Sequence, residues 1–211
     1  MSEPMTEEEI NERANEKARK RKAVRERILA GKTREKGLLI VHTGKGKGKS
    51  TAAFGLALRA LGHDMRVGIV QFVKGKWQTG ERPALERFAD LVDIRTMGEG
   101  FTWDTQDRAR DIRAAEAAWR AAKEMIEACR GGEPRYDLVV LDELNIVLRY
   151  DHLPLADVVA FLAAKPERLH LVVTGRNAKP ELVAIADLVT EMTMVKHPFA
   201  AGIKAQKGIE F

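Results

Sequence analysis

Apolar residues gather in short blocks along this chain, and the stretches between the blocks carry helical spacing. Residues 38–41, 66–72 (RVGIVQF), 91–97, 136–141 (YDLVVL), 170–174 and 188–195 are the apolar blocks. Their length and continuity predict strands buried on both faces. Residues 51–61, rich in alanine and leucine, predict a helix after the first strand. Ile112, Ala115, Trp119, Ala122, Ile126 and Cys129 recur every three or four residues, the buried stripe of a long helix. Asp104 is the expected N-cap of that helix, which runs to about Ala128 before Gly131-Gly132. The stripe makes Trp119 and Cys129 core residues. Residues 153–164, opened by Pro154 and followed by Pro166, and residues 180–186 predict two more helices. Residues 75–83 read as a polar loop and 85–88 as a helical turn or two. Strands separated by helices imply a mainly parallel sheet covered on both faces, with no repeat and no second domain.

The first 36 residues break this rhythm. Eleven basic and eight acidic side chains crowd them, and Ile10, Ala14, Ala18, Val24 and Ile28 make only a thin apolar stripe. They predict a solvent-exposed helix, a disordered charged tail, or an arm that orders over a ligand or a partner subunit. The division is thus 1–36, a charged arm, and 37–211, the main domain. This arm carries +3 of the net charge of +5, so the remainder is too nearly neutral for a large nucleic-acid footprint. The single cysteine, Cys129, excludes an internal disulfide and a cysteine-cluster metal site, and it suits a reducing compartment. No apolar run reaches membrane-spanning length and no apolar signal segment opens the chain. The expected location is the cytoplasm, with neither membrane nor nucleic acid as partner.

Between the first strand and its helix lies Thr43-Gly44-Lys45-Gly46-Lys47-Gly48-Lys49-Ser50-Thr51. Strand, glycine-rich turn and helix is the setting of a P-loop, whose inward backbone N–H groups and helix N-terminus hold a polyphosphate. Lys49 is placed to reach the phosphates and Ser50 to offer its hydroxyl to Mg²⁺. The pattern G-x-x-x-x-G-K-[ST] would put a glycine at position 43, where Thr43 stands, which leaves Gly44 to shape the start of the loop. A flexible basic turn would explain neither the strand before it nor the helix after it. The fold class expected is therefore α/β, a single-domain P-loop (RecA-like) fold of three layers with a mainly parallel central sheet and an N-terminal helical arm.

Asp142 and Glu143 end the fourth strand, at the edge of a parallel sheet that shares a crevice with the loop after the first. A carboxylate there is a second anchor for Mg²⁺, with Mn²⁺ the alternative ion; which of the two touches the metal stays open. Thr174-Gly175-Arg176 follows the fifth strand at the same edge, and Arg176 reads as a phosphate or substrate contact or as a solvated arginine. Gln71, Phe72 and Lys74 are expected to face the crevice. His42 and His197 lie near it without metal-ligand spacing, whereas His63, His152 and His170 look structural or exposed. Phe101 and Trp103, two apart in a loop after Gly100, either anchor that loop or close a wedge over something flat and apolar. Residue chemistry alone leaves a hydrolase, a kinase, a nucleotidyl- or adenosyl-transferring enzyme, and a nucleotide-gated binding module.

Residues 43–53 and Val70-Gln71-Phe72-Val73-Lys74-Gly75 resemble the P-loop type of cob(I)alamin (corrinoid) adenosyltransferase. Gly100-Phe101-Thr102-Trp103, Val140-Leu141-Asp142-Glu143-Leu144, Thr174-Gly175-Arg176, residues 195–199 and the tail Lys204-Ala205-Gln206, Gly208-Ile209-Glu210 extend the resemblance in unbroken order from about residue 35. The family shares the shortened loop opening Thr-Gly; it often has Asn at the place of Lys45 and Thr at that of Ser50, so the hydroxyl is kept. The resemblance implies transfer of the 5′-deoxyadenosyl group of ATP to the Co(I) of a reduced corrinoid, with tripolyphosphate released. It implies Thr43, Gly44, Lys45, Gly46, Lys47, Gly48, Lys49, Ser50, Thr51 and Arg176 around ATP. Lys49 and Lys47 would stabilise the leaving triphosphate, and Ser50 with Asp142 or Glu143 would hold the metal. It further implies that Phe101 and Trp103 displace the corrinoid's lower axial ligand, that residues 1–36 form a lid, and that the protein is a homodimer served by a flavoprotein or other reductase.

Overall fold

The computed structural model describes residues 5–73, 80–97 and 107–210. Six strands form one sheet: β1 (Leu39–Thr43), β2 (Val67–Gln71), β3 (Val92–Thr96), β4 (Leu138–Asp142), β5 (His170–Thr174) and β6 (Leu188–Glu191), in the order β3-β2-β4-β5-β1-β6. Every pairing is parallel, so the sheet is wholly rather than mainly so. The two central strands on either side of β5 owe their place to continuous burial: every residue of β1 and of β4 is buried. β6 is exposed along its length and ends at Glu191, short of the expected Val195. It is an edge strand, with only β1 to hold it.

Alternate strand residues feed two cores. Ile40, Val67, Ile69, Val140 and Val172 meet Ala53, Phe54, Ala57, Ala60 and Leu61 of α2 (Lys49–Leu61) on one face. Leu39, Val41, Val70, Leu141, Leu171 and Val173 meet the other helices on the opposite face. The largest of these is α4 (Arg108–Glu127), whose Ala115, Trp119, Ala122 and Ile126 are buried as the stripe predicts, with Cys129 just beyond. Burial of these apolar stripes against the sheet is the main stabilising term of such a three-layer fold. The cap of α4 differs from expectation. Asp107, whose side chain accepts from the Arg110 N–H at 3.0 Å, starts the helix; Asp104 lies outside the described residues.

Of four further helices, two depart from the pattern and two follow it. α3 (Glu81–Leu85) begins inside the stretch expected to be loop, because Pro83 fits a helix's first turn, and residues 86–88 continue it as a 3₁₀ turn. α5 (Leu144–Arg149) was not expected; it follows β4 directly and buries Leu144, Asn145, Val147 and Leu148. Its six residues are too short for periodicity to reveal. α6 (Leu155–Ala163) and α7 (Pro180–Ile185) match their prolines.

Residues up to Glu35 make a compact unit separate from 36–211. That unit is the helix α1 (Glu7–Ala30), opened by a capping box in which Thr6 and Glu9 satisfy each other's backbone N–H. None of its residues is buried. Lys20–Glu16 and Lys22–Glu26 pair along its surface. Among the described residues no helix is long and apolar enough to cross a membrane.

Candidate active site

Parallel register gathers the strand ends at one edge of the sheet: His42 lies beside Thr174, and Gln71 beside Asp142. The loop after β1 turns there on two glycines in the left-handed region, Gly44 (φ 96°) and Gly48 (φ 99°), conformations that favour glycine. A side chain on Gly44 or Gly46 would also collide with the backbone of Met192 as the chain leaves β6. The Gly46 N–H donates to the Met192 carbonyl at 2.6 Å. The segment after the edge strand thus forms one wall of the loop.

Lys49 is buried inside this loop and donates to the carbonyl of Gly46. Burial pulls its pKa down; the Glu143 carboxylate opposes that shift, and the Arg176 and Lys47 charges add to it. Its backbone carbonyl lies 3.3 Å from His42 Nδ1. Lys47 instead pairs with Glu210 of the C-terminal tail, so that pair must open before Lys47 can face a phosphate. Thr43 is committed as well: its hydroxyl accepts from the Ala178 N–H at 2.9 Å. Lys45 and Thr51 are exposed.

Asp142 is buried and well bonded. Its carboxylate accepts from the Thr174 hydroxyl at 2.8 Å, from Gln71 Nε2 at 3.4 Å and from the Ser50 hydroxyl. Burial raises its pKa despite these bonds. Glu143 sits one residue on in a left-handed conformation (φ 61°), an uncommon place for a non-glycine residue. Its N–H donates to the Thr174 hydroxyl at 2.9 Å. Its Oε2 is buried with no hydrogen-bond partner, and burial, with the Asp142 charge second, lifts its pKa to about 7. Lys49 and Arg176 pull the other way. A serine hydroxyl tied to one carboxylate, beside a second carboxylate with an unpartnered oxygen, is a hard oxygen set that fits Mg²⁺ or Mn²⁺.

The structure therefore brings Lys49, Ser50, Asp142 and Glu143 together and sets Arg176 within electrostatic reach. Phe72 is a correction: it is 2 % exposed and packs in the core with Leu141 and Val173, facing away from the crevice. Gln71 does face it, and links Asp142 to Thr96, whose hydroxyl donates to Gln71 Oε1 at 2.9 Å and accepts from Arg82 at 2.7 Å. Phe101, Trp103 and Lys74 lie outside the described residues. Thr96, Asn145, Met192 and Glu210 had no predicted part here; each arrives through a long-range contact that leaves no local pattern. A cavity of about 240 Å³ lined by Arg66, Asp90, Asp93, Arg135 and Tyr136 opens at the opposite, N-terminal ends of the strands, away from these groups.

A family profile described as ATP:corrinoid adenosyltransferase BtuR/CobO/CobP matches residues 35–211. The chain is 56% identical over 197 residues to a corrinoid adenosyltransferase of Sinorhizobium sp, covering 92% of this chain and 90% of that protein. It is 52% identical over 203 residues to a corrinoid adenosyltransferase of Pseudomonas aeruginosa, covering 96% and 98%. With the corrinoid adenosyltransferase CobA of Salmonella typhimurium it shares 47% identity over 177 residues, 84% of this chain and 87% of that one.

Proposed function

The chain belongs to the ATP:corrinoid adenosyltransferase family BtuR/CobO/CobP, and on that premise we propose that it moves the 5′-deoxyadenosyl group of ATP to Co(I) of a reduced corrinoid. Cobalamin and cob(I)yrinic acid a,c-diamide are the acceptors, in adenosylcobalamin synthesis and corrinoid salvage. The observation that carries the reading is the convergence of buried Lys49 with Ser50, Asp142 and Glu143 at one sheet edge.

In the reaction the Co(I) electron pair forms the Co–C5′ bond while the C5′–O bond breaks and tripolyphosphate leaves. No side chain has to act as nucleophile or base, so catalysis is positioning plus stabilisation of the charge on the departing triphosphate. Lys49 and the N–H groups of the loop serve the second task; Lys47 joins them once released from Glu210, and Arg176 from the neighbouring turn. Ser50, Asp142 and Glu143 would hold Mg²⁺, with Mn²⁺ the alternative, and the ion when bound neutralises phosphate charge. Thr43, Gly44, Lys45, Gly46, Gly48 and Thr51 complete the cradle. Phe101 and Trp103 press on the corrin and displace its lower ligand, which favours the lower oxidation state because axial ligation tunes a macrocycle's metal. Residues 1–36 close over the corrinoid, two copies form a homodimer, and a flavoprotein or other reductase in the cytoplasm delivers the electron that makes Co(I).

The test is anaerobic incubation with ATP, Mg²⁺ and chemically reduced cobalamin. Adenosylcobalamin and tripolyphosphate in equal amounts are expected. ADP or phosphate would point to a kinase or hydrolase, and unchanged ATP to a nucleotide-gated corrinoid carrier; either overturns the proposal.

A further inference from the structure

Arg176 is exposed and, among the described residues, makes no hydrogen bond or ion pair, yet its charge is felt at both Lys49 and Glu143. An unanchored arginine loses conformational entropy on meeting a phosphate, so the backbone that carries it decides how well it is aimed. That backbone is held tightly. Thr174 Oγ1 accepts from the Glu143 N–H at 2.9 Å and donates to Asp142 Oδ1 at 2.8 Å. Asn145, 0 % exposed at the second position of α5, donates from Nδ2 to the Gly175 carbonyl at 3.0 Å. Three hydrogen bonds thus clasp residues 174–175 to residues 142–145.

The packing is as close as the bonding. Gly175 adopts φ 126°, and a Cβ there would stand 2.8 Å from the Asn145 Cβ and 3.0 Å from Glu143 Oε2. The turn lies flat against the start of α5, with no room to shift toward it. Asn145 is also costly where it is. Its Oδ1 is buried without a partner, a penalty that an aliphatic side chain of the same size would avoid. A buried amide with one end unpaired is poor core material, and the bond to Gly175 is the contact it has to offer.

We propose that Asn145 is a positioning residue: by fixing Gly175 it aims the Arg176 guanidinium at the triphosphate. The proposal rests on the reading of Arg176 as part of the phosphate site, and it adds a residue that touches neither substrate nor metal.

The experiment is a double-mutant cycle on the full chain with Asn145→Leu, Arg176→Ala and both together. Affinity for inorganic tripolyphosphate and the kcat and KM for ATP are measured, with thermal unfolding as the check on folding. Each single variant should weaken tripolyphosphate binding by about tenfold, the scale of one charge-assisted hydrogen bond, and the double variant should lose no more than the worse single. Gly175→Ala disturbs the same turn from its other side. It should show the same loss, again absent when Arg176 is already gone, and it carries the test if Asn145→Leu does not fold. Normal tripolyphosphate affinity in Asn145→Leu, or a loss undiminished in the Arg176→Ala background, overturns the proposal. If Arg176→Ala alone binds normally, the phosphate-site reading of Arg176 has failed. If that variant is weak and Asn145→Leu is normal, only the role of Asn145 has failed.

Discussion

Lys49 is the residue on which most of the electrostatics converge. Burial makes its charge expensive and therefore strongly felt by an anion placed against it. Lys49→Ala should lower turnover at saturating ATP by at least ~100-fold, the scale for losing one preorganised charge in the transition state, and steady-state kinetics will show it. Glu143 predicts a pH dependence. Its pKa rises from 4.5 in a free side chain to about 7 in the fold. The folded protein thus binds the extra proton between those values. The contribution to stability is full below about pH 4.5 and is lost as pH climbs through 7. Relative to Glu143→Gln, the ligand-free wild type should lose on the order of 3 kcal/mol over that window, read by urea unfolding at its two ends. Phe101 and Trp103 make a third case. If they displace an axial ligand, alanine at either position should cut kcat/KM for cobalamin much more than for cobinamide, which has no nucleotide base to push away. Equal losses would leave them as packing residues. Lys49, Ser50, Asp142 and Glu143 were legible because a motif and a strand end mark them. The direction of Phe72 is not legible, because a strand-end residue can face either way: Phe72 turns into the core and its neighbour Gln71 takes the crevice.

At the scale of elements, β1, β2, β4 and β5 are readable from their apolar runs, since burial on both faces forces continuous hydrophobicity; the edge strands β3 and β6 are only partly buried or exposed, and their runs are weaker. Helix ends were less legible. Two aspartates three apart, Asp104 and Asp107, both satisfy the sequence rule for an N-cap. The register of the buried stripe does not choose between them; only the bond from Arg110 N–H to Asp107 does. Asp107→Ala should therefore cost about 1 kcal/mol and lower Tm by roughly 2–4 °C, measured by thermal unfolding with α4 otherwise unchanged. α5 shows the other limit. The Asp142-Glu143 pair marks the end of β4, but the six residues that follow the corner at Glu143 are too few for a helical period to show. The left-handed Glu143 that makes the corner is itself a residue that composition would never nominate for a turn.

The whole molecule divides unevenly, and the division sets up the last test. Unit 36–211 contains the sheet, both cores and every described residue of the phosphate site. In α1 none of the 24 residues is buried. Its order comes from its capping box, from surface pairs and from good intrinsic propensity. Such a helix is only marginal in water on those terms, so 24 residues of it represent conformational entropy spent without a hydrophobic return in the ligand-free chain. A return arrives if the arm meets a substrate or a second copy of the chain. Deleting residues 1–35 should then leave Tm of the remainder unchanged to within a degree or two, because none of the residues of α1 is buried and Lys36 keeps its pair with Asp187. Affinity for ATP and tripolyphosphate should also hold, as the loop and its carboxylates all lie beyond the cut. KM for the corrinoid should rise several-fold, since a lid lost from a binding site removes contacts from the ligand it covers. A truncated protein with an unchanged corrinoid KM would show that the arm is not a lid. A truncated protein that fails to fold would show that unit 36–211 does not stand on its own.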